Sequence, residues 1–286
     1  MPGDLLRRCI HWLRSPFLRA ANTLGPESYV TYAKWVYPLL FMRLPRIHLR
    51  FRKISDDLYA VQEGQQAEKF FFSAYRSPRY AFRGGFAEAG MLLARNYRVN
   101  KIPIEHSDIV IDVGANVGEF SEWASSQGAK VHAFEIDPMA LGCLRRNMMD
   151  RAGVTIWEKA ASNRSGESRF FLKSKDASSS LLSECEQQDS ECAILVKTVR
   201  LDEFMRENGI SAVKILKVEA EGAEPEVLDG LGDLLRNISY ITVDAGPERF
   251  GQRTIEPVKS ILETHGFSVQ VFGNYVLACN VAARSS

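Results

Sequence analysis

The stretch Ile111–Phe120, IDVGANVGEF, passes from an apolar strand pattern through two glycines into a helical pattern. In the dinucleotide fingerprint G-x-G-x-x-G, the middle glycine lets the backbone approach a pyrophosphate closely. Here Gly114 and Gly118 flank Asn116, so a side chain occupies that middle position. The loop therefore suits a nucleoside ligand better than a dinucleotide.

Beyond the N-terminal third of the chain, short apolar runs alternate with helical patterns, which is typical of a parallel sheet with crossover helices. The first strand, DIVIDVG, ends at Gly114, and a helix is predicted to begin near Asn116, a good capping residue. The second strand, KVHAFEID, ends at Glu135, and Asp137 followed by Pro138 predicts the next helix start. The third strand is predicted in VTIWEKAAS.

Two further runs, AVKILKVEAEG and ISYITVDAG, are almost continuously apolar, as expected for strands covered on both faces. The polar stretch Asn163–Arg200 is interpreted as an inserted hairpin with a loop. Near the C-terminus, Gly273 and Asn274 separate two β-rich runs and predict an antiparallel hairpin. The fold class is therefore α/β, a mostly parallel sheet closed by a C-terminal hairpin, which differs from the arrangement of NAD-binding domains.

The chain has 286 residues, of which 45% are hydrophobic and 25% charged, enough for one sizeable core and an additional segment. We assign the main domain to residues 81–286 and a basic, aromatic-rich N-terminal helical extension to residues 1–80. The net charge of +1 argues against a nucleic-acid partner, yet residues 1–53 alone carry +8. This basic end is interpreted as a cover packed on the main domain, or as an amphipathic element on an anionic membrane or partner surface.

Targeting and redox signals point to a cytoplasmic protein, with peripheral membrane contact as the open alternative. The longest uncharged apolar run, Trp35–Met42, is much shorter than the roughly 20 residues of a membrane-spanning helix. Arginines interrupt the first stretch, so no signal peptide is predicted. Cys185 and Cys192 could form a redox pair, but free thiols are the expectation for the five cysteines. The histidines are scattered, which predicts no zinc site.

Four stretches in order along the chain, VIDVGANVGEFS, AFEIDP, TVRLDEF and LKVEAEGAEPEVLDG, resemble the FkbM-type family of S-adenosylmethionine-dependent methyltransferases. The resemblance extends from about Ala81 to the C-terminal hairpin. It implies a class I, Rossmann-like methyltransferase fold, S-adenosylmethionine as the cofactor and S-adenosylhomocysteine as the product. It also implies methyl transfer, most often to oxygen.

The resemblance implies roles for individual residues of this sequence. Glu135 would bind the ribose, with Ile136 beside it, and Ala161 at the end of the third strand would lie near the adenine. The methionine part of the cofactor would be lined by residues of the glycine loop, namely Asp112, Gly114, Asn116 and Gly118.

The candidate catalytic residues are carboxylates that follow the fourth and fifth strands, Glu219, Glu221 and Asp244. Methyl transfer to a hydroxyl requires alignment of the reactants and removal of a proton, and ligands of open α/β sheets bind at the carboxyl ends of strands. The family usually has an aspartate in its K-x-D-x-E-G stretch where this chain has Glu219, one methylene longer. Glu221 would equally suit the start of a helix, and Asp244 needs a partner if buried. Lys217 is either that partner or a plain strand-end lysine.

Other polar residues near these strands have two interpretations. Arg249 either orients an anionic or hydroxylated acceptor or lies on a surface loop, whereas Glu224 and Glu226 are expected to complement a helix N-terminus. Glu219 and Asp244 could form a two-carboxylate magnesium site, but hard cations usually need more oxygen ligands. No metal is therefore expected.

The sequence predicts an S-adenosylmethionine-dependent methyltransferase that methylates a hydroxyl of a sugar, a glycan or a secondary metabolite. N-methylation, a non-catalytic nucleoside-binding protein and an NAD-dependent oxidoreductase are the alternatives. Asn116 and the closing hairpin argue against the oxidoreductase. The expected partner is a small-molecule or glycan acceptor, and homo-oligomer formation is left open.

Overall fold

The computed structural model describes residues 49–55, 57–72, 85–171 and 193–282, in two compact units that divide between Ala89 and Gly90. In the first unit, three strands form an antiparallel sheet, namely β1 (Leu49–Lys53), β2 (Leu58–Glu63) and β3 (Lys69–Phe72). The prediction of a helical extension is therefore wrong for residues 49–72, where aromatic and β-branched residues favour strands. The predicted membrane-facing or covering segment at residues 1–48 lies outside the described residues.

The second unit is built on a seven-stranded sheet and a smaller three-stranded sheet. Its ten strands are β4 (Ile109–Val113), β5 (Lys130–Phe134), β6 (Val154–Trp157), β7 (Ala160–Ala161), β8 (Gly166–Phe171), β9 (Ala193–Val199), β10 (Val213–Val218), β11 (Ile238–Asp244), β12 (Phe267–Phe272) and β13 (Tyr275–Asn280). The large sheet has the order β12-β13-β11-β10-β4-β5-β6. Strands β11, β10, β4, β5 and β6 are parallel, while β13 is antiparallel to β11 and β12. The predicted parallel sheet and its closing hairpin are both confirmed.

The smaller sheet has the order β7-β9-β8 and corrects the prediction for the third strand. The run VTIWEKAAS does not form one strand, because β6 ends at Trp157 and the next two strand residues pair elsewhere. Ala160 and Ala161 pair in parallel with β9 of the smaller sheet. Strands β8 and β9 pair antiparallel, which confirms the inserted hairpin. The predicted loop within it falls largely on residues 172–192, outside the described residues.

Six α-helices are described, α1 (Phe86–Asn96), α2 (Glu119–Ser126), α3 (Pro138–Asn147), α4 (Leu201–Glu207), α5 (Glu224–Asp229) and α6 (Ile255–Thr264). Asp137 caps α3 as predicted and accepts hydrogen bonds from the N–H groups of Met139 and Ala140. The prediction that α2 begins near Asn116 is wrong. Asn116 has a left-handed φ of 55°, and the helix begins after Gly118, whose φ is 96°. No helix among the described residues is long and apolar enough to cross a membrane.

The core lies on both faces of the large sheet, which explains the continuous apolar runs of its central strands. Ile111, Leu216 and Ile241 are neighbours on β4, β10 and β11, and all three are fully buried. This packing fixes the carboxyl ends of β4, β5 and β10 at one edge, where the glycine loop emerges.

Candidate active site

A solvent-open cleft lies at the carboxyl ends of β4, β5 and β10. Ligands of open α/β sheets bind at this edge. The glycine loop, the residues after β5, the smaller sheet and the residues after β10 form its walls. Seven residues proposed from the sequence line this cleft, namely Gly114, Asn116, Glu135, Ile136, Ala161, Glu219 and Glu221.

Gly114 brings the loop after β4 against the segment after β10. Its φ is 72°, and a Cβ atom at this position would collide with the main-chain oxygen of Glu219. Only glycine accepts both this conformation and this contact. Asn116, two residues later, lines the cleft, and its side-chain oxygen, Oδ1, is buried and has no hydrogen-bond partner. The loop therefore carries a buried acceptor that no described group uses.

Glu135 follows β5 and is held by three backbone N–H groups. Its carboxylate accepts hydrogen bonds from Asn116 at 2.7 Å and from Ile136 and Asp137 at 2.8 Å each. Burial raises the pKa of Glu135 above its usual value, although the same backbone N–H groups oppose this rise. The carboxylate is thus fixed in the cleft wall, one strand away from the glycine loop.

Asp112 and Gly118 lie outside the lining of the cleft, although the resemblance implies that they line it. Asp112 is fully buried, and its carboxylate accepts a hydrogen bond from the hydroxyl of Ser121 at 2.7 Å. Gly118 is packed so closely against Leu144 and Met148 that a Cβ atom would lie 2.7 Å and 2.9 Å from their side chains. Both residues therefore support the glycine loop through contacts outside the cleft.

Lys217 connects β10 with the glycine loop. Its Nζ atom lies 3.1 Å from the carboxylates of Asp112 and Glu219 and donates a hydrogen bond to the carbonyl of Gly114 at 2.7 Å. Burial alone would lower the pKa of Lys217, but these two carboxylates raise it above its usual value, so the ammonium stays charged. The interpretation of Lys217 as the partner of Asp244 is wrong, because the sheet register places Asp112 directly opposite Lys217.

Glu221 and Asp244 bind protons more tightly than ordinary carboxylates do. Burial, together with the charges of Glu219 and Glu248, raises the pKa of Glu221 to about 8 and that of Asp244 to about 7. Asp244, at the end of β11, lies outside the lining of the cleft, and one of its oxygens, Oδ1, is buried without a hydrogen-bond partner. A carboxyl whose pKa lies near the working pH is suited to general acid or base chemistry. No pattern in the sequence indicates that Glu248 influences these two carboxyls.

Glu224 holds the loop that carries Glu221. Its buried carboxylate accepts hydrogen bonds from the N–H groups of Ala220 and Gly222 and from the hydroxyl of Thr254, at 2.8–3.1 Å. It therefore does more than complement a helix N-terminus. Glu221 has a left-handed φ of 50°, which these bonds help to maintain.

Arg249 also contacts the loop that carries Glu221. It forms a bidentate ion pair with Glu226, with the shorter bond at 2.7 Å, and donates a hydrogen bond to the carbonyl of Gly222 at 3.2 Å.

In the described part of the chain, no group of three or more His, Cys, Asp or Glu side chains is arranged to hold a metal ion.

The sheet order, the closing hairpin, the glycine loop and the acid after the second strand define a class I methyltransferase. The sequence model described as the methyltransferase FkbM domain matches residues 112–269, more than half of the chain. The chain belongs to the FkbM methyltransferase family, whose members are S-adenosylmethionine-dependent. This confirms the family, the fold class and the cofactor predicted from the sequence.

Three curated relatives illustrate the family. Hexuronic acid methyltransferase AglP of Haloferax volcanii is 29% identical over 142 residues, which cover 49% of this chain and 56% of that protein. The chain thus spans little more than half the length of AglP. The 31-O-demethyl-FK506 methyltransferase FkbM of Streptomyces tacrolimicus is 28% identical, covering 61% and 78% of the two chains. The 2-O-methyltransferase NoeI of Sinorhizobium fredii is 26% identical, covering 54% and 70%.

Solved structures resemble the chain at low sequence identity. Fibrillarin of Aeropyrum pernix, crystallised with natively bound S-adenosyl-L-methionine, is 12% identical and has a TM-score of 0.41. The match covers 82% of this chain and 99% of that one.

Proposed function

We propose that the protein transfers the methyl group of S-adenosylmethionine to a hydroxyl of a sugar, a glycan or another secondary metabolite. One observation carries this proposal, the two carboxyls of Glu221, which lines the cleft, and Asp244, which ends the neighbouring strand β11. Their pKa values, about 8 and about 7, suit proton exchange with an acceptor near neutral pH. A hydroxyl acceptor must lose its proton during methyl transfer, whereas a neutral amine can attack without a base.

The cofactor would be held mainly by residues of the glycine loop and of the strand beside it. The buried, unpartnered Oδ1 of Asn116 would accept a hydrogen bond from the ammonium of the methionine part. Gly114 leaves room for close approach, and Glu135 would accept hydrogen bonds from the ribose hydroxyls. Ile136 and Ala161, which also line the cleft, would supply apolar surface for the adenine. Asp112 and Gly118 would act indirectly, by keeping the loop in place.

When bound, S-adenosylmethionine supplies an electrophilic methyl group on a sulfonium. The task left to the chain is to align the acceptor hydroxyl and take its proton. We propose that Asp244 accepts the proton of the acceptor hydroxyl. Its Oδ1 atom has no other partner, and its carboxyl is substantially ionised at pH 7. Glu221 is mostly protonated at pH 7 and would donate a hydrogen bond to the acceptor.

The acceptor class is supported by the relatives. Two of them are named as a hexuronic acid methyltransferase and a 2-O-methyltransferase. Both names are consistent with a sugar hydroxyl as the acceptor.

The test is a methyl-transfer assay with labelled S-adenosylmethionine and a panel of acceptors. The panel contains hexuronic acid oligosaccharides, neutral oligosaccharides, a hydroxylated macrolide and primary amines, and mass spectrometry locates the methyl group. We expect the label on oxygen and, in Asp244→Asn, a fall in kcat of about 100-fold or more, the usual contribution of a general base. The matched control is Asp233→Asn, which changes an exposed aspartate.

Transfer to nitrogen would contradict the proposal that the acceptor is a hydroxyl. Full activity of Asp244→Asn would remove Asp244 as the base and leave the acceptor assignment standing. Binding of the cofactor without transfer to any acceptor, under conditions where a positive control enzyme is active, would favour a non-catalytic binding protein.

A further inference from the structure

Tyr97 contacts the candidate site from outside the matched family domain. It follows α1 and precedes residue 112, where the family match begins. Its hydroxyl donates a hydrogen bond to Oε2 of Glu219 at 2.8 Å, across 122 positions of sequence. Because Glu219 lines the cleft, a residue upstream of the matched domain fixes part of the cleft wall.

The ring of Tyr97 is itself held rigidly. Only 1% of the residue is exposed, and its ring packs edge-on against Phe120 and Tyr275, with centroids 5.9 Å and 5.1 Å away. Its main-chain oxygen accepts a hydrogen bond from the hydroxyl of Thr242 at 2.8 Å. Burial, with the charges of Glu219 and Asp244, raises the pKa of Tyr97 well above its usual value. The hydroxyl therefore keeps its proton and remains a donor.

A second donor reaches the same carboxylate oxygen. The Nζ atom of Lys217 lies 3.1 Å from Oε2 of Glu219 and 5.6 Å from the centre of the Tyr97 ring. Glutamate has one more side-chain torsion than the aspartate usual in the family, and free rotation about it would spread the carboxylate over several positions. The two donors converge on Oε2 and hold this longer side chain in one position.

We propose that Tyr97 is a positioning residue that holds the Glu219 carboxylate at the methyl-donor end of the cofactor site, where Glu219 favours a sulfonium over a neutral thioether. The proposal rests on the cofactor placement of the proposed function, because Glu219 contacts Gly114 of the glycine loop. A carboxylate attracts the cationic sulfur of S-adenosylmethionine, and this attraction disappears when the methyl group leaves. The arrangement would thus ease release of S-adenosylhomocysteine.

The test measures the affinities of S-adenosylmethionine and S-adenosylhomocysteine by isothermal titration calorimetry and needs no acceptor. Four proteins are compared, the wild type, Tyr97→Phe, Glu219→Gln and the double variant. We expect Glu219→Gln to raise the Kd of S-adenosylmethionine by roughly 10-fold and that of S-adenosylhomocysteine by less than about 2-fold. Tyr97→Phe should raise the Kd of S-adenosylmethionine by roughly 3-fold, and it should add nothing in the Glu219→Gln background.

Two further variants separate positioning from folding. Tyr240→Phe removes the hydroxyl of a tyrosine on β11 and should leave both affinities unchanged. Glu219→Asp withdraws the carboxylate from Tyr97 by one methylene, so Tyr97→Phe should have little further effect in that background. Thermal unfolding of each variant checks that the fold is retained.

The proposal would be overturned if Tyr97→Phe weakened both ligands equally, or if it acted as strongly without the Glu219 carboxylate, since either result indicates a structural role. It would also be overturned by unchanged affinities in Glu219→Gln, because no function would then depend on the position of the carboxylate. Each of these three outcomes is distinguishable from failure of the proposed function, which is decided by the acceptor assay alone.

Discussion

The ammonium group of Lys217 lies 3.1 Å from the carboxylate of Asp112 on the adjacent strand, and the two side chains are 3% and 0% exposed. A buried charge that loses its partner costs about 3–5 kcal/mol, much of it because the remaining charge stays buried. We therefore expect Lys217→Met to lower the free energy of unfolding by about 3 kcal/mol or more, measured by urea denaturation.

Lys214 on the same strand provides the control for this substitution. Its Nζ atom lies 3.8 Å from Asp108, and both side chains remain partly exposed. Ion pairs in contact with solvent contribute about 0–1 kcal/mol, so Lys214→Met should be nearly neutral. Equal effects of the two substitutions would show that Asp112 does not depend on Lys217.

Glu135 should be required for cofactor binding. Its carboxylate accepts hydrogen bonds from three backbone N–H groups, one in the glycine loop and two directly after β5. It is also the proposed acceptor for the ribose hydroxyls. Hydrogen bonds to charged groups contribute about 1.5–3 kcal/mol, so Glu135→Ala should weaken S-adenosylhomocysteine binding by about 10-fold or more. Titration calorimetry measures the loss. Glu158→Ala, which removes an exposed glutamate paired with Arg145, should bind as the wild type does. Wild-type affinity in Glu135→Ala would refute the ribose assignment.

Glu221 should make the protein less stable as the pH rises. Because its pKa in the folded state is about 8, the folded chain retains this proton after the unfolded chain has lost it. The contribution to stability is therefore fully present below about pH 4 and is lost as the pH rises towards 8. Glu221→Gln removes the titration, so its Tm relative to the wild type should increase between pH 5 and pH 8.

The measurement is thermal unfolding of both proteins at several pH values in that window. Glu207→Gln, which changes an exposed glutamate at the end of α4, is the matched control. A constant difference in Tm between Glu221→Gln and the wild type would contradict the raised pKa.

Gly114 should tolerate no side chain. Its φ of 72° disfavours other residues, and a methyl group would push against the Glu219 carbonyl. We expect Gly114→Ala to separate the glycine loop from the segment after β10 and to abolish detectable S-adenosylhomocysteine binding. Gly142→Ala, within α3, meets no atom within 4 Å and should stabilise the protein by up to about 1 kcal/mol. Retained binding in Gly114→Ala would show that the two segments can separate without loss of the site.

Local signals in the sequence predict much of this fold because they depend on neighbouring residues. Asp137 and Pro138 mark the start of α3, and the pair Gly273 and Asn274 marks the closing hairpin. The same reasoning misplaced the start of α2, since Asn116 has a left-handed backbone and makes no side-chain cap. Residue type alone does not distinguish these two uses of an asparagine.

The interactions within the site depend on strand register and on distant contacts, which one sequence does not encode locally. Lys217 could have paired with Asp244, but register places it opposite Asp112 on one neighbouring strand and Thr242 on the other. Tyr97 lies so far from Glu219 in sequence that no spacing pattern joins them.

The carboxylate of Glu224 joins the loop of Glu221 to Thr254 at the beginning of α6. These buried hydrogen bonds couple the loop of Glu221 to that helix, so the two should move together. We therefore expect any widening of the cleft to occur mainly at the opposite wall, around Ala161 and Phe170 of the smaller sheet.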